Sequence, residues 1–91
     1  KDELELSFLV GSAENIVISL VPLTEKVCGV TTRNLEYELD DAILSFGATL
    51  STSNEIANEL IANVNANEDD IIDVMVSTKE GKLLVVVTNR I

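Results

Sequence analysis

Histidine and tryptophan are missing from these 91 residues, and cysteine, proline, methionine and tyrosine occur once each. Without histidine the chain lacks the commonest metal ligand and the commonest general base. A single cysteine, Cys28, excludes an internal disulfide framework and fits a reducing compartment. Aromatic residues make up only 3% of the chain, so its core must be aliphatic. No apolar run approaches the roughly 20 residues of a membrane span, and the longest, residues 16–23, is interrupted by Ser19 and Pro22. No secretory signal is visible, so a cytoplasmic location without membrane contact is expected. The start at Lys1 in place of Met reads as processing, trimming or excision from something longer. Lys1, Asp2, Glu3 and Leu4 spell a retention signal that is read only at a C-terminus. There is no Asn-x-Ser/Thr sequon. Glycines stand singly at Gly11, Gly29, Gly47 and Gly81, and none opens a phosphate-cradling loop onto a helix.

What is present is aliphatic and acidic. A hydrophobic fraction of 46% supports one folded domain over residues 1–91, too short for a second core. Leu4, Leu6, Phe8 and Val10 alternate with Glu5, Ser7 and Leu9 as in a half-exposed edge strand. Residues 16–21 are apolar on both faces, as in a central strand, and the stretch from Pro22 to Val30 reads as a loop. Leu35, Leu39, Ala42, Ile43 and Phe46 then fall on one helical stripe ended by Gly47. Thr52 and Glu55 have capping-box spacing ahead of a second stripe of Ile56, Ala57, Leu60, Ile61 and Val64. Ile72, Val74 and Val76 share one face of a strand over 71–78. Residues 79–82 suit a hairpin turn with Gly81 at a positive φ, and 83–87 form a further central strand. The expected fold is therefore α+β, a four-stranded mainly antiparallel sheet in ββααββ order with two amphipathic helices packed on it. Two helices cover one sheet face, and the other face could meet a second copy, so a homo-oligomer is one expectation.

Charge is unevenly placed. Six basic and sixteen acidic residues give a net charge of −10. Residues 34–73 hold ten acids and no Lys or Arg: Glu36, Glu38, Asp40, Asp41, Glu55, Glu59, Glu68, Asp69, Asp70 and Asp73. So negative a layer disfavours nucleic-acid backbone and anionic lipid. It serves either as a solubilising face or as a recognition surface for a protein partner with a basic surface. On the first expected helix, Tyr37 and Leu44 lie seven residues apart, opposite the core stripe and beside Asp40 and Asp41, as a small hot spot with a polar rim would. Glu36, Glu55 and Glu59 complete the expected partner-binding set.

Other constellations are weaker. Asn65, Asn67, Asp69 and Asp73 follow the spacing of a calcium loop, but Asp70 replaces its glycine and Val76 its closing glutamate. Cys28 has no histidine to activate it, and in so acidic a chain no carboxylate pair stands above another as an acid–base couple. No catalytic residue, metal or cofactor is expected, and no family resemblance covers enough of the chain to name. The function expected from the sequence is a non-catalytic interaction or assembly subunit that self-associates through its sheet and presents an acidic helical face. A nucleic-acid mimic that occupies a basic groove of an enzyme is the alternative.

Overall fold

Alternation with a period of two, more than any helical periodicity, builds this molecule. The computed structural model describes residues 2–47, 53–62 and 67–90. They form β1 (Asp2–Leu9), α1 (Val10–Ala13), β2 (Ile16–Pro22), β3 (Lys26–Arg33), β4 (Ala42–Ser45), β5 (Asn54–Glu55), α2 (Asn58–Ile61), β6 (Ile71–Thr78) and β7 (Leu83–Asn89). Two antiparallel sheets result, one in the order β1-β6-β3-β4 and the other in the order β5-β2-β7.

In the first sheet Leu4, Leu6 and Phe8 of β1 lie opposite Val76, Val74 and Ile72 of β6. In the second, Ile16, Ile18 and Leu20 of β2 turn inward while Val17, Ser19 and Val21 turn out. One hydrophobic cluster draws on both sheets, joining Ile18 and Leu20 to Val27, Val30, Leu35, Leu44, Ile56 and Val74. The sheets thus face one another as a sandwich over an aliphatic core. Burying each of these side chains contributes about 1.5–3 kcal/mol.

The expected ββααββ order is wrong, and so are the two helices packed on a sheet. Residues 34–46 form a loop and β4. Asn34 and Asp41 both take left-handed backbone conformations, with φ of 69° and 52°, which no helix tolerates. Backbone groups in this loop are satisfied by side chains from distant strands in place of i→i−4 bonds. The Leu39 amide donates to Thr32 Oγ1 at 2.9 Å, and the Asp41 amide donates to Thr31 Oγ1 at 3.1 Å. In β4, Leu44 is buried between Ile43 and the half-buried Ser45, while Ile43 and Phe46, both on the expected helical stripe, are 62% and 69% exposed.

The second expected helix shrinks to the single turn α2. Asn54 and Glu55 instead pair with Ile18 and Val17 of β2, and Ile56 bridges to Leu35. Non-local pairing wins over the local stripe because it carries Ile56 to complete burial. Thr52 and Val64, with Asn65 of the calcium-like spacing, lie outside the described residues.

Two further expectations change. The supposed loop up to Val30 contains most of β3. Its alternation is hidden by a bulge between Val27 and Val30, where β3 holds one more residue than β4 opposite. Residues 79–82 make no hairpin, because β6 and β7 belong to different sheets. They carry the chain across the sandwich, where Gly81 (φ 93°) presses on the start of β3. The β7 strand, expected to be central, lies at an edge with one described neighbour, β2.

Candidate functional site

Beyond β3 the chain leaves the first sheet at Asn34 and runs alongside β5. The Glu36 amide donates to the Glu55 carbonyl at 2.7 Å, and the Ala57 amide donates to the Asn34 carbonyl at 3.0 Å. The next residue, Tyr37, is held by a side chain. Its amide donates to Asn54 Oδ1 at 3.0 Å, and Asn54 Nδ2 donates to its carbonyl at 2.7 Å. Asn54 is buried, whereas the Tyr37 side chain is 68% exposed. The ring is thus displayed from a fixed backbone.

Around it lies an open cleft of about 380 Å³, lined by Val17, Tyr37, Ser53, Asn54, Glu55 and Arg90. Glu55 stands opposite Val17 on the outward side of its strand, and its carboxylate meets the Arg90 guanidinium at 2.6 Å. Arg90 is itself placed by its amide, which donates to the Asn15 carbonyl at 2.6 Å. The cleft therefore offers one aromatic face, one carboxylate, one movable cation and an aliphatic floor at Val17. Such a set suits a flat heteroaromatic ligand with positive charge: the ring gives a stacking and cation–π surface, and the carboxylate gives a counter-charge.

Other clefts are built differently. A larger one, about 620 Å³, is polar and walled by Glu36, Glu38 and Glu59 with no aromatic ring. A groove of about 360 Å³ between β1 and β7 is lined by Leu4, Leu23, Leu83 and Val85. Among the described residues no cluster of three or more acidic or Cys side chains could hold a metal ion.

The expected partner-binding residues do not share one face. Tyr37 and Glu55 come together in the aromatic cleft, while Glu36, next to Tyr37 in the chain, turns its carboxylate to the Asn58 amide at 2.7 Å. Glu59 lies on α2 beside that second cleft. Asp40 is exposed on the loop, and Asp41 pairs with Lys79 at 3.1 Å. Leu44 is 8% exposed and belongs to the core, so it makes no surface hot spot. Asn54, Arg90, Ser53 and Val17 were not foreseen. Nothing local marks Asn54 or Arg90, since each acquires its place through contacts 17 and 35 residues away.

Residues 8–83 match the family model of the vitamin B1 binding domain of thiamin pyrophosphokinase. The chain belongs to that family. Solved structures agree on the fold. Thiamine pyrophosphokinase from Bacillus subtilis is 20% identical over 96% of this chain, with a TM-score of 0.63. The enzyme from Geobacillus thermodenitrificans is 22% identical over 97%, with a TM-score of 0.65. This chain spans about a third of either, 34% and 33% of their lengths. No curated protein matches it.

Membership in the vitamin B1 binding domain family of thiamin pyrophosphokinase overturns the expected non-catalytic assembly subunit and the nucleic-acid mimic. The physical ground for both also fails, because among the described residues there is no acidic helical face. Six of the ten acids between residues 34 and 73 have local bonding roles: Glu36, Glu38, Asp41, Glu55, Asp70 and Asp73. Among the described residues no helix is long and apolar enough to cross a membrane.

Proposed function

We propose that this domain binds thiamin in the Tyr37 cleft, as the vitamin-holding part of an enzyme that transfers a pyrophosphoryl group to it. One observation carries the assignment of the cleft: the exposed Tyr37, its backbone held by Asn54, lines it together with Glu55. Thiamin joins an aminopyrimidine to a positively charged thiazolium ring. Stacking on tyrosine and a nearby carboxylate match both halves, with the cation–π contact contributing about 0.5–2 kcal/mol. The net charge of −10 adds a field that draws a cation in.

On this reading the domain's part is binding and orientation. It holds the rings so that the hydroxyethyl arm, the acceptor of the transfer, faces outward. Donor binding and the transfer itself fall to the rest of the enzyme, which in the solved relatives makes up about two-thirds of the chain. A cytoplasmic location goes with this reading, as does the unpaired thiol of Cys28.

The test is calorimetric titration of thiamin into the complete protein that carries this domain. The wild type should bind, and Tyr37→Ala should weaken binding about tenfold or more, with Tyr37→Phe losing far less. Equal affinity for wild type and Tyr37→Ala would remove Tyr37 from the site.

A further inference from the structure

We infer that Asn54 is a positioning residue for thiamin recognition, holding the backbone from which the Tyr37 ring and the Glu55 carboxylate project; this rests on the proposed vitamin site. On β5, Asn54 lies opposite Ile18 on the inward side and is only 3% exposed. It is one of the residues lining the cleft with Tyr37 and Glu55, but almost none of its surface is accessible. Its side-chain amide bonds to the backbone of both. Oδ1 accepts the amides of Tyr37 at 3.0 Å and of Glu55 at 2.9 Å, while Nδ2 donates to the Tyr37 carbonyl at 2.7 Å.

The arrangement extends a ladder. Residues 34–36 pair with 55–57 through backbone bonds alone, and at Tyr37 the Asn54 side chain supplies both the acceptor and the donor that a strand neighbour would. The ring beyond is largely exposed, so the position from which it projects is set by this backbone clamp more than by packing of the ring. No residue other than asparagine offers an acceptor and a donor at that reach, since glutamine is longer by a methylene and aspartate lacks the donor.

The experiment is a double-mutant cycle on thiamin binding in the complete protein, with activity measured alongside. Asn54→Ala should raise both the thiamin Kd and its KM about tenfold, the factor for one well-made hydrogen bond at roughly 1.4 kcal/mol per decade. It should leave kcat within about twofold, because the clamp acts on binding. Placed on Tyr37→Ala, the same change should cost less than about twofold. A merely structural Asn54 would give equal losses in both backgrounds, and that result overturns the inference. Asn54→Asp keeps the acceptor and removes the donor, so it should weaken thiamin binding in the same direction.

Should neither variant fold, amide hydrogen exchange on the wild type decides. A Tyr37 amide already protected before thiamin is added supports the clamp, and one that exchanges freely contradicts it. If Tyr37→Ala itself left thiamin binding intact, the vitamin site would fail instead. If Tyr37→Ala weakened binding and Asn54→Ala did not, only the positioning role would fail.

Discussion

Replacing Gly81 by alanine tests the crossing between the two sheets. Gly81 has φ of 93°, and a Cβ there would stand 2.5 Å from the Lys26 carbonyl oxygen and 2.9 Å from Val27 Cα. Both are backbone atoms at the start of β3, so neither can swing aside as a side chain would. The same crossing is tied to residues 23–24: the Leu23 amide donates to the Lys82 carbonyl at 2.8 Å, and the Lys82 amide donates to Thr24 Oγ1 at 3.1 Å. An L-residue at positive φ costs about 1–2 kcal/mol, and forcing an extra methyl into a filled space adds about 1–3 kcal/mol. Gly81→Ala should therefore destabilise by about 2–5 kcal/mol. Gly47 supplies the control, since its φ is 81° but among the described residues nothing lies within 4 Å of a Cβ placed there. Gly47→Ala should cost only the conformational part, about 1–2 kcal/mol. Equilibrium urea unfolding, read at constant m, measures both. Equal losses for the two variants would refute the packed crossing and return residues 79–82 to an ordinary exposed turn.

Two neighbouring residues distinguish strand from helix in the segment around β4. Leu44→Ala should lose about 2–5 kcal/mol, as core truncations do, while Ile43→Ala at an exposed site should change stability by about 0.5 kcal/mol or less. The opposite order would restore the helical stripe. At the cleft, the Arg90–Glu55 pair has side chains 54% and 41% exposed, so it contributes no more than about 1 kcal/mol to stability. Arg90→Gln should leave unfolding almost unchanged and tighten thiamin about two- to fivefold at low salt, because the carboxylate is then free for the ligand's charge. The gain should shrink as salt rises; weaker binding would mean that Arg90 helps to hold the ligand.

Four of the strands, β1, β2, β6 and β7, could be read directly, but not their division between two sheets. The face of β6 carrying Ile72, Val74 and Val76 emerges as expected, as do the edge position of β1 and the central position of β2. These are regular strands, where the period of two survives in the sequence. Failure came where side chains replace regular backbone bonding. In residues 34–41 the partners are Thr31, Thr32 and Asn54, none of which alters hydrophobic spacing. By chance Leu35, Leu39, Ala42, Ile43 and Phe46 then imitate a helix. The bulge in β3 shifted the alternation by one residue and hid a strand. The acidic middle was correctly located, but its meaning depended on the missing helices. Of the expected site, Tyr37 survives as an exposed aromatic and Glu55 as its neighbour, whereas Leu44 passes to the core. Asn54 and Arg90 could not be found from spacing, because their roles arise only when residues distant in sequence meet.

The central claim is that the Tyr37 cleft receives thiamin, and a crystal structure of the complete protein grown with thiamin tests it most directly. Ring density should lie against Tyr37, within about 4–6 Å of its centroid, with the positive ring near Glu55. Ligand density elsewhere, for instance in the aliphatic groove between β1 and β7, with the Tyr37 cleft filled only by water, would contradict it.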